Sequence, residues 1–411
     1  MKLRALVGAL ALAGVMAPAF ATNGYFSHGY GIKSKGMAGV GIAYGQDALA
    51  AATNPANMVL VGNRWDVGVD YFRPQRESTI SGLGPGVDGT YDGNDTENFF
   101  IPEFGYNQMI SNNMSLGVSV YGNGGMNTDY GNLNSRTGGM IFGTGNLGVD
   151  LMQLFIAPTW AMKVNDRNAI GVSLKLAYQR FKAYGIQNFD NAMMSSAPGN
   201  VTNNGYDNSW GYGIGLGWTG QLTPTFSLGV TYQSRTWMQK FDKYKGLFAE
   251  KGDFDIPENY GIGFAWQAMP QITIAADVQR INYGDVKSIA NRGSNMALLG
   301  TDNGPGFGWE NVTAYKLGVS YDLNKEWTLR AGYSWNDVPY AGTETFFNTL
   351  APAVIKEHAT LGATWRMPNG GELSFAYMHA FKNTVNGTGG STGFNNTMYE
   401  DSFGVAYGMK F

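Results

Sequence analysis

The sequence predicts an all-β fold, a transmembrane antiparallel β-barrel of about fourteen strands with a small N-terminal helical hatch, or plug, inside its lumen. Three observations point there. The chain opens with an export leader, most of its length repeats alternating segments of roughly ten residues, and every second connection between them is long. Composition agrees. Of 411 residues 59 are glycine, 14% are aromatic and only 14% are charged, an unusual mixture for a compact soluble core. After the leader no apolar run reaches about eighteen residues, so any membrane crossing has to be made by strands. The net charge of −3 lacks the basic excess of a nucleic-acid binder, and nucleic acid is not an expected partner. With no cysteine there is neither a disulfide nor a thiolate metal site, and no metal or cofactor is expected.

In chain order, Lys2 and Arg4 precede an apolar stretch from Ala5 to Val15, followed by Pro18 and the small-x-small triplet Ala19-Phe20-Ala21. These are the three regions of a signal peptide, with cleavage expected after Ala21. Residues 22–63 are rich in Gly and Ala and show no strand pattern. Asp47 suits the cap of a short Ala48–Ala52 helix, and Asn54 before Pro55 reads as N-cap followed by the first helical position. Phe26, Met37, Ile42, Met58 and Leu60 argue for burial, which makes 22–63 the expected hatch and 64–411 the barrel.

Period-two alternation then marks strands near 64–72, 98–109, 113–122, 147–164, 168–182, 208–222, 224–239, 256–268, 271–282, 310–322, 326–336, 354–367, 372–381 and 401–411. Short turns such as Asn165-Asp166-Arg167, Thr223-Pro224 and Met269-Pro270 alternate with polar stretches around 73–97, 123–146, 183–207, 240–255, 283–309, 337–353 and 382–400. A soluble sandwich has no reason to lengthen every second loop, whereas outer-membrane barrels do so on their external side. Trp160, Trp218, Trp266, Trp327 and Trp365 all fall at the short-turn rim, where amphipathic aromatics meet a membrane interface. Phe403, Val405, Tyr407, Met409 and Phe411 alternate up to the terminal carboxylate. A terminal aromatic on such a strand resembles the signal read by the outer-membrane barrel-assembly machinery. That machinery is an expected partner, beside the lipid bilayer and lipopolysaccharide.

Gly36-Met37-Ala38-Gly39, then Asp47-Ala48, then Asn54-Pro55-Ala56 follow in an order and spacing that resemble the FadL/TodX family of outer-membrane channels for long-chain fatty acids and other hydrophobic compounds. Asn54-Pro55-Ala56 matches that family's hatch motif. Val118-Ser119-Val120-Tyr121 running into Gly124 and Gly125 looks like its third strand and inward kink. The chain departs from the pattern in showing no obvious basic motif after Arg180 and Lys182. The resemblance implies capture of a ligand among external loops, transfer to a pocket beside the hatch, and sideways exit at Gly124-Gly125. Glycine there suits a wall break, because it weakens a strand and permits bulges.

Parity places Asp66, Asp70, Lys175, Arg235, Trp237, Asp277, Gln279, Lys316, Arg330 and Arg366 on the lumen side. A carboxylate headgroup would need a cation, and Arg235, Lys316 and Arg330 are the candidates. For apolar contacts the candidates are Phe26, Met126, Tyr130, Ile141 and Phe142. Small inward residues Gly211, Gly213, Gly215 and Gly217 would let the hatch approach the wall. No catalytic residue is expected, since His28, His358 and His379 sit in no nucleophile motif. A structural or adhesive barrel with functional loops is the alternative. Without a TonB-box-like stretch, passage would be passive.

Overall fold

A computed structural model of the chain describes residues 22–411, so the expected leader at 1–21 lies outside the described residues. Fourteen strands form the wall. They are β1 (Arg64–Ile80), β2 (Phe99–Met109), β3 (Met114–Tyr130), β4 (Leu147–Asn165), β5 (Asn168–Tyr184), β6 (Asp207–Thr223), β7 (Phe226–Gln233), β8 (Asn259–Met269), β9 (Ile272–Ile281), β10 (Val312–Asp322), β11 (Trp327–Asn336), β12 (Glu357–Arg366), β13 (Gly371–Val385) and β14 (Phe394–Lys410). Each pairs antiparallel with the next. The pairing of β1 with β14, from Arg64↔Lys410 to Ile80↔Phe394, closes the sheet into a barrel. Two short pieces, Gly89–Asp92 and Trp237–Met238, add to the outer ends of β1 and β6. Among the described residues no helix is long and apolar enough to cross a membrane.

Alternation does what the sequence implies. On β5 Val172, Leu174 and Leu176 face outward and exposed, while Ser173, Lys175 and Ala177 face inward and are buried. Several strands outrun their expected ends, β1 to Ile80, β3 to Tyr130 and β14 back to Phe394. The reason is visible on β1. Beyond Phe72 both faces are polar, with Arg73, Gln75 and Glu77 on one and Arg76 and Ser78 on the other. A strand that has left the lipid carries no apolar stripe to read.

Residues 224–239, expected as a single strand, contain a bulge. Ser234 bonds to Ile214 through both its backbone N–H and its hydroxyl, yet Trp237 pairs with Tyr212, so one extra residue lies between. The bulge reverses parity beyond it. Trp237, expected in the lumen, therefore faces outward, exposed and 5.9 Å from the Tyr212 ring.

Residues 22–63 form short helical turns at Ile32–Lys35, Ala50–Ala52, Pro55–Asn57 and Met58–Val61. The Asn54 side chain accepts from Ala56 N at 3.0 Å with Pro55 at the first position, as its sequence suggested. Asp47 accepts from Leu49 N at 3.0 Å and opens the Ala50–Ala52 turn, a shorter helix than the one expected from Ala48. The segment bonds to inward side chains all round the wall, among them Asp66 on β1, Ser119 on β3, Thr219 on β6, Asp277 on β9 and Thr360 on β12. These contacts reach strands spread around the whole wall.

Candidate functional site

Two kinds of residue seat the N-terminal segment. The first is wall glycine, which gives up its side chain so that backbone can meet backbone. A Cβ at Gly332 would lie 2.5 Å from Ala38 N, at Gly318 2.8 Å from Met37 Cβ, and at Gly362 3.0 Å from Gly36 Cα. Gly36-Met37-Ala38 thus rests on glycines of β10, β11 and β12. Gly39, at φ +80°, leaves no room for a side chain, since its Cβ would fall 1.7 Å from His28 O. The second kind is the buried carboxylate. Asp277 accepts from Gly41 N and Ile42 N at 2.7 and 3.0 Å, and Glu103 from Ile32 N and Gly31 N at 2.9 and 3.2 Å. Lys35 pairs with Asp70 at 2.5 Å, and Glu372 is shared by Lys33 at 2.5 Å and Arg64 at 3.0 Å. Burial, with the Asp66 carboxylate beside it, pushes the Asp47 carboxyl up to about 6. Burial and the Arg64 guanidinium pull Lys33 down against the attraction of Glu372.

The wall is incomplete on one side. β2 pairs with β3 only from Phe104↔Val120 to Met109↔Ser115, so Phe99–Glu103 on β2 and everything beyond Val120 on β3 part company. On the other edge of β3, register with β4 slips between Gly122 and Gly124, leaving Asn123 as an extra residue. From Tyr121 to Thr128 every residue of β3 is buried, without alternation. The N-terminal segment takes the missing partner's place, with Ser27 N donating to Asn123 O at 3.0 Å and Gly125 N to Tyr25 O at 3.1 Å. A Cβ at Gly124 would sit 1.9 Å from Tyr25 O, which explains the glycine.

Beside this gap lies a small cavity lined by Phe26, Tyr30, Tyr121, Asn123, Phe155 and Lys175, among others. Lys175 Nζ donates to Tyr121 Oη at 2.8 Å and Ala51 O at 3.3 Å, and stands over the Tyr121 and Phe155 rings. Farther out, the external loops form a second, apolar pocket that includes Phe181, Phe189, Phe248, Phe307 and Phe347. Rings connect the two. Phe248 lies 4.8 Å from Phe254, Phe254 lies 6.2 Å from Tyr25, and Tyr25 lies 5.4 Å from Phe26. Tyr283 Oη fixes the inner end, accepting from Tyr25 N and Phe26 N and donating to Asn23 O at 2.5 Å.

A family model described as outer membrane protein transport protein (OMPP1/FadL/TodX) matches residues 13–410. The chain belongs to that family. The long-chain fatty acid transport protein of Escherichia coli (strain K12) is 22% identical over 368 residues, covering 76% of this chain and 79% of its own length. Among solved structures, the P. putida toluene transporter TodX superposes with a TM-score of 0.71 at 19% identity, over 93% of this chain and 99% of that one. A Pseudomonas aeruginosa FadL homologue does so with 0.68 at 15% identity, over 96% and 99%. As a FadL/TodX protein the chain is an outer-membrane transport channel for hydrophobic compounds and not an enzyme.

In this FadL/TodX chain the sequence-expected ligand residues divide. Phe26 lines the inner cavity. Met126 and Tyr130 are buried on the outer half of β3, with Tyr130 Oη donating to Thr349 O at 3.0 Å. Phe142 stacks 5.1 Å from Phe346, and Ile141 packs against the same apolar cluster. The three candidate cations are engaged elsewhere. Lys316 donates to His28 O and Gln279 Oε1, Arg330 to Gln46 Oε1 and Thr364 Oγ1, and Arg235, set in the bulge, to Asp285 O with Asp255 3.7 Å away. Of the four glycines expected to admit the segment on β6, only Gly217 meets it, at Asn54; Gly211 and Gly213 face the bulged stretch, and Gly215 faces Gln233 and Lys175. Lys175 had the parity of a lumen residue but no feature that ranked it above its neighbours. Tyr30 and Glu103 carried no signal at all, because their roles depend on where the segment crosses the wall.

Proposed function

We propose that the chain carries small hydrophobic molecules passively across the outer membrane, taking them into the loop pocket, along the Phe248–Phe254–Tyr25–Phe26 rings to the inner cavity, and out sideways between β2 and β3. In this reading residues 22–63 are the hatch that keeps water from following. The observation that carries it is the parting of β2 from β3 beside the cavity. A greasy ligand gains about 0.8 kcal/mol for each CH₂ it buries, so a wall opening toward lipid serves it better than an aqueous pore. The relatives' named cargoes, a long-chain fatty acid and toluene, are both apolar. Lys175 supports acceptance of an acidic head. Among the described residues it has no carboxylate within ion-pair distance, and it borders the cavity.

Deleting Asn123 tests the exit. Without the extra residue β3 can keep register with β4 and remain beside β2. Uptake of radiolabelled toluene and dodecanoate by intact cells lacking other such channels should then fall to background, while the barrel still shows heat-modifiable gel migration. Wild-type uptake by the folded deletion variant would refute sideways exit.

A further inference from the structure

Residues 30–32 cross the wall gap and touch both of its sides. On the β2 side Gly31 N and Ile32 N both donate to the Glu103 carboxyl group, at 3.2 and 2.9 Å. On the β3 side Tyr30 Oη donates to Asn123, at 2.9 Å from Oδ1 and 3.3 Å from the backbone O, and its ring lies 4.8 Å from Tyr121. The residue it grips is the extra residue of the bulge. Tyr30, Tyr121 and Asn123 also line the inner cavity, so a molecule leaving it for the gap meets them.

Asn123 does not stand alone. Its Nδ2 donates to Gln153 Oε1 at 3.0 Å, Gln153 Nε2 to Gln179 Oε1 at 3.2 Å, and Gln179 Nε2 to Phe254 O at 2.9 Å. An amide ladder therefore runs across β3, β4 and β5 and ends on the loop residue whose ring lies between the outer pocket and Tyr25. Gln153 and Gln179 are fully buried, where neutral hydrogen bonds polarise one another and a broken one is costly. Phe254 can shift only by straining the ladder, and the ladder sets the acceptor that Tyr30 uses.

We infer that Tyr30 is the bolt of the side opening, with Glu103 as its fixed hinge, and that the Asn123–Gln153–Gln179 ladder makes the bolt's grip depend on what occupies the outer pocket. This rests on the sideways exit proposed above. Within residues 30–32 the clasp is asymmetric, two bonds to one carboxyl group against one neutral hydroxyl, while Tyr25 and Ser27 hold β3 by backbone bonds farther along, so the side-chain release occurs at Tyr30.

The test compares initial uptake of radiolabelled toluene by intact cells carrying the full chain, Tyr30→Phe, Gln153→Leu, both together, and the Asn123 deletion. Loss of one neutral hydrogen bond should raise the rate about two- to tenfold in Tyr30→Phe. Gln153→Leu should act in the same direction. The double variant should be no faster than the faster single one, because both act through one bond. Deuterium uptake at residues 23–32 of purified Tyr30→Phe should rise in parallel, a reading independent of transport. Unchanged or slower uptake in Tyr30→Phe with unchanged exchange overturns the bolt, and additive rates in the double variant overturn the ladder's part in it. If the Asn123 deletion abolishes uptake while Tyr30→Phe behaves as wild type, the bolt fails and the side exit stands. A folded deletion variant with wild-type uptake overturns both.

Discussion

Replacing Asn54 by alanine should free the N-terminal segment from the wall without loosening the wall. Asn54 is fully buried, and its Nδ2 donates to Ile42 O at 2.7 Å, to Trp218 O at 3.1 Å and to Thr219 Oγ1 at 3.1 Å. Its Oδ1 caps Ala56 N at 3.0 Å. Alanine removes all of these at once. Ile42 O keeps the Asn57 amide at 3.2 Å, but the Ala56 N–H is left buried with nothing to meet. Losing the cap costs about 1 kcal/mol. Two side-chain bonds at about 1 kcal/mol each bring the total to about 3 kcal/mol. Local opening of residues 41–57 should become roughly a hundredfold more frequent. Deuterium exchange followed by mass spectrometry reads this directly, with peptides from 40–60 compared against β5 peptides as the internal reference. Gly217 is the contact on the other side, and it offers no side chain that could swing in to replace the lost bonds. Unchanged protection of 40–60 would refute the reasoning, and so would equal loosening of β5, since either result would mean that Asn54 does not separate segment from wall.

Gly124→Val places a Cβ 1.9 Å from Tyr25 O, so the Gly125–Tyr25 bond should break and limited proteolysis should clip the chain ahead of Tyr30 in the variant alone. Lys175→Met should lower dodecanoate uptake about tenfold or more, the worth of a buried charge-assisted bond, and leave toluene uptake within twofold; equal effects on both probes would remove Lys175 from headgroup recognition. Glu372→Gln strips Lys33 of its ion-pair partner and costs the segment about 2–4 kcal/mol, seen as faster exchange at 30–36. The double change Lys33→Met with Glu372→Met should recover most of that loss, because an unpaired buried charge costs more than a missing pair.

Strand number, order and polarity were legible because lipid outside and polar lumen inside impose period two on every strand. That signal fades where one of those environments ends. Beyond Phe72 on β1 and Gly122 on β3 the two faces become alike, and the strands run on unannounced. Parity also assumes an uninterrupted ladder, and the bulge at Ser234–Thr236 turned Trp237 outward. The Asn54-Pro55-Ala56 tripeptide could be read because capping is local chemistry. Glu103 and Tyr30 could not, since each acts on a partner dozens of residues away in sequence and nothing nearby marks it. For the cations the sequence supplied a face and no distances, and distance alone separates Lys175 at the cavity from Lys316 at His28.

The glycine seat on β10, β11 and β12 constrains how the two surfaces it joins can vary. At Gly318, Gly332 and Gly362 the wall has given up inward side chains to receive Gly36-Met37-Ala38, so any side chain added on either surface must be matched by room on the other. Segment and wall are thus bound to change together.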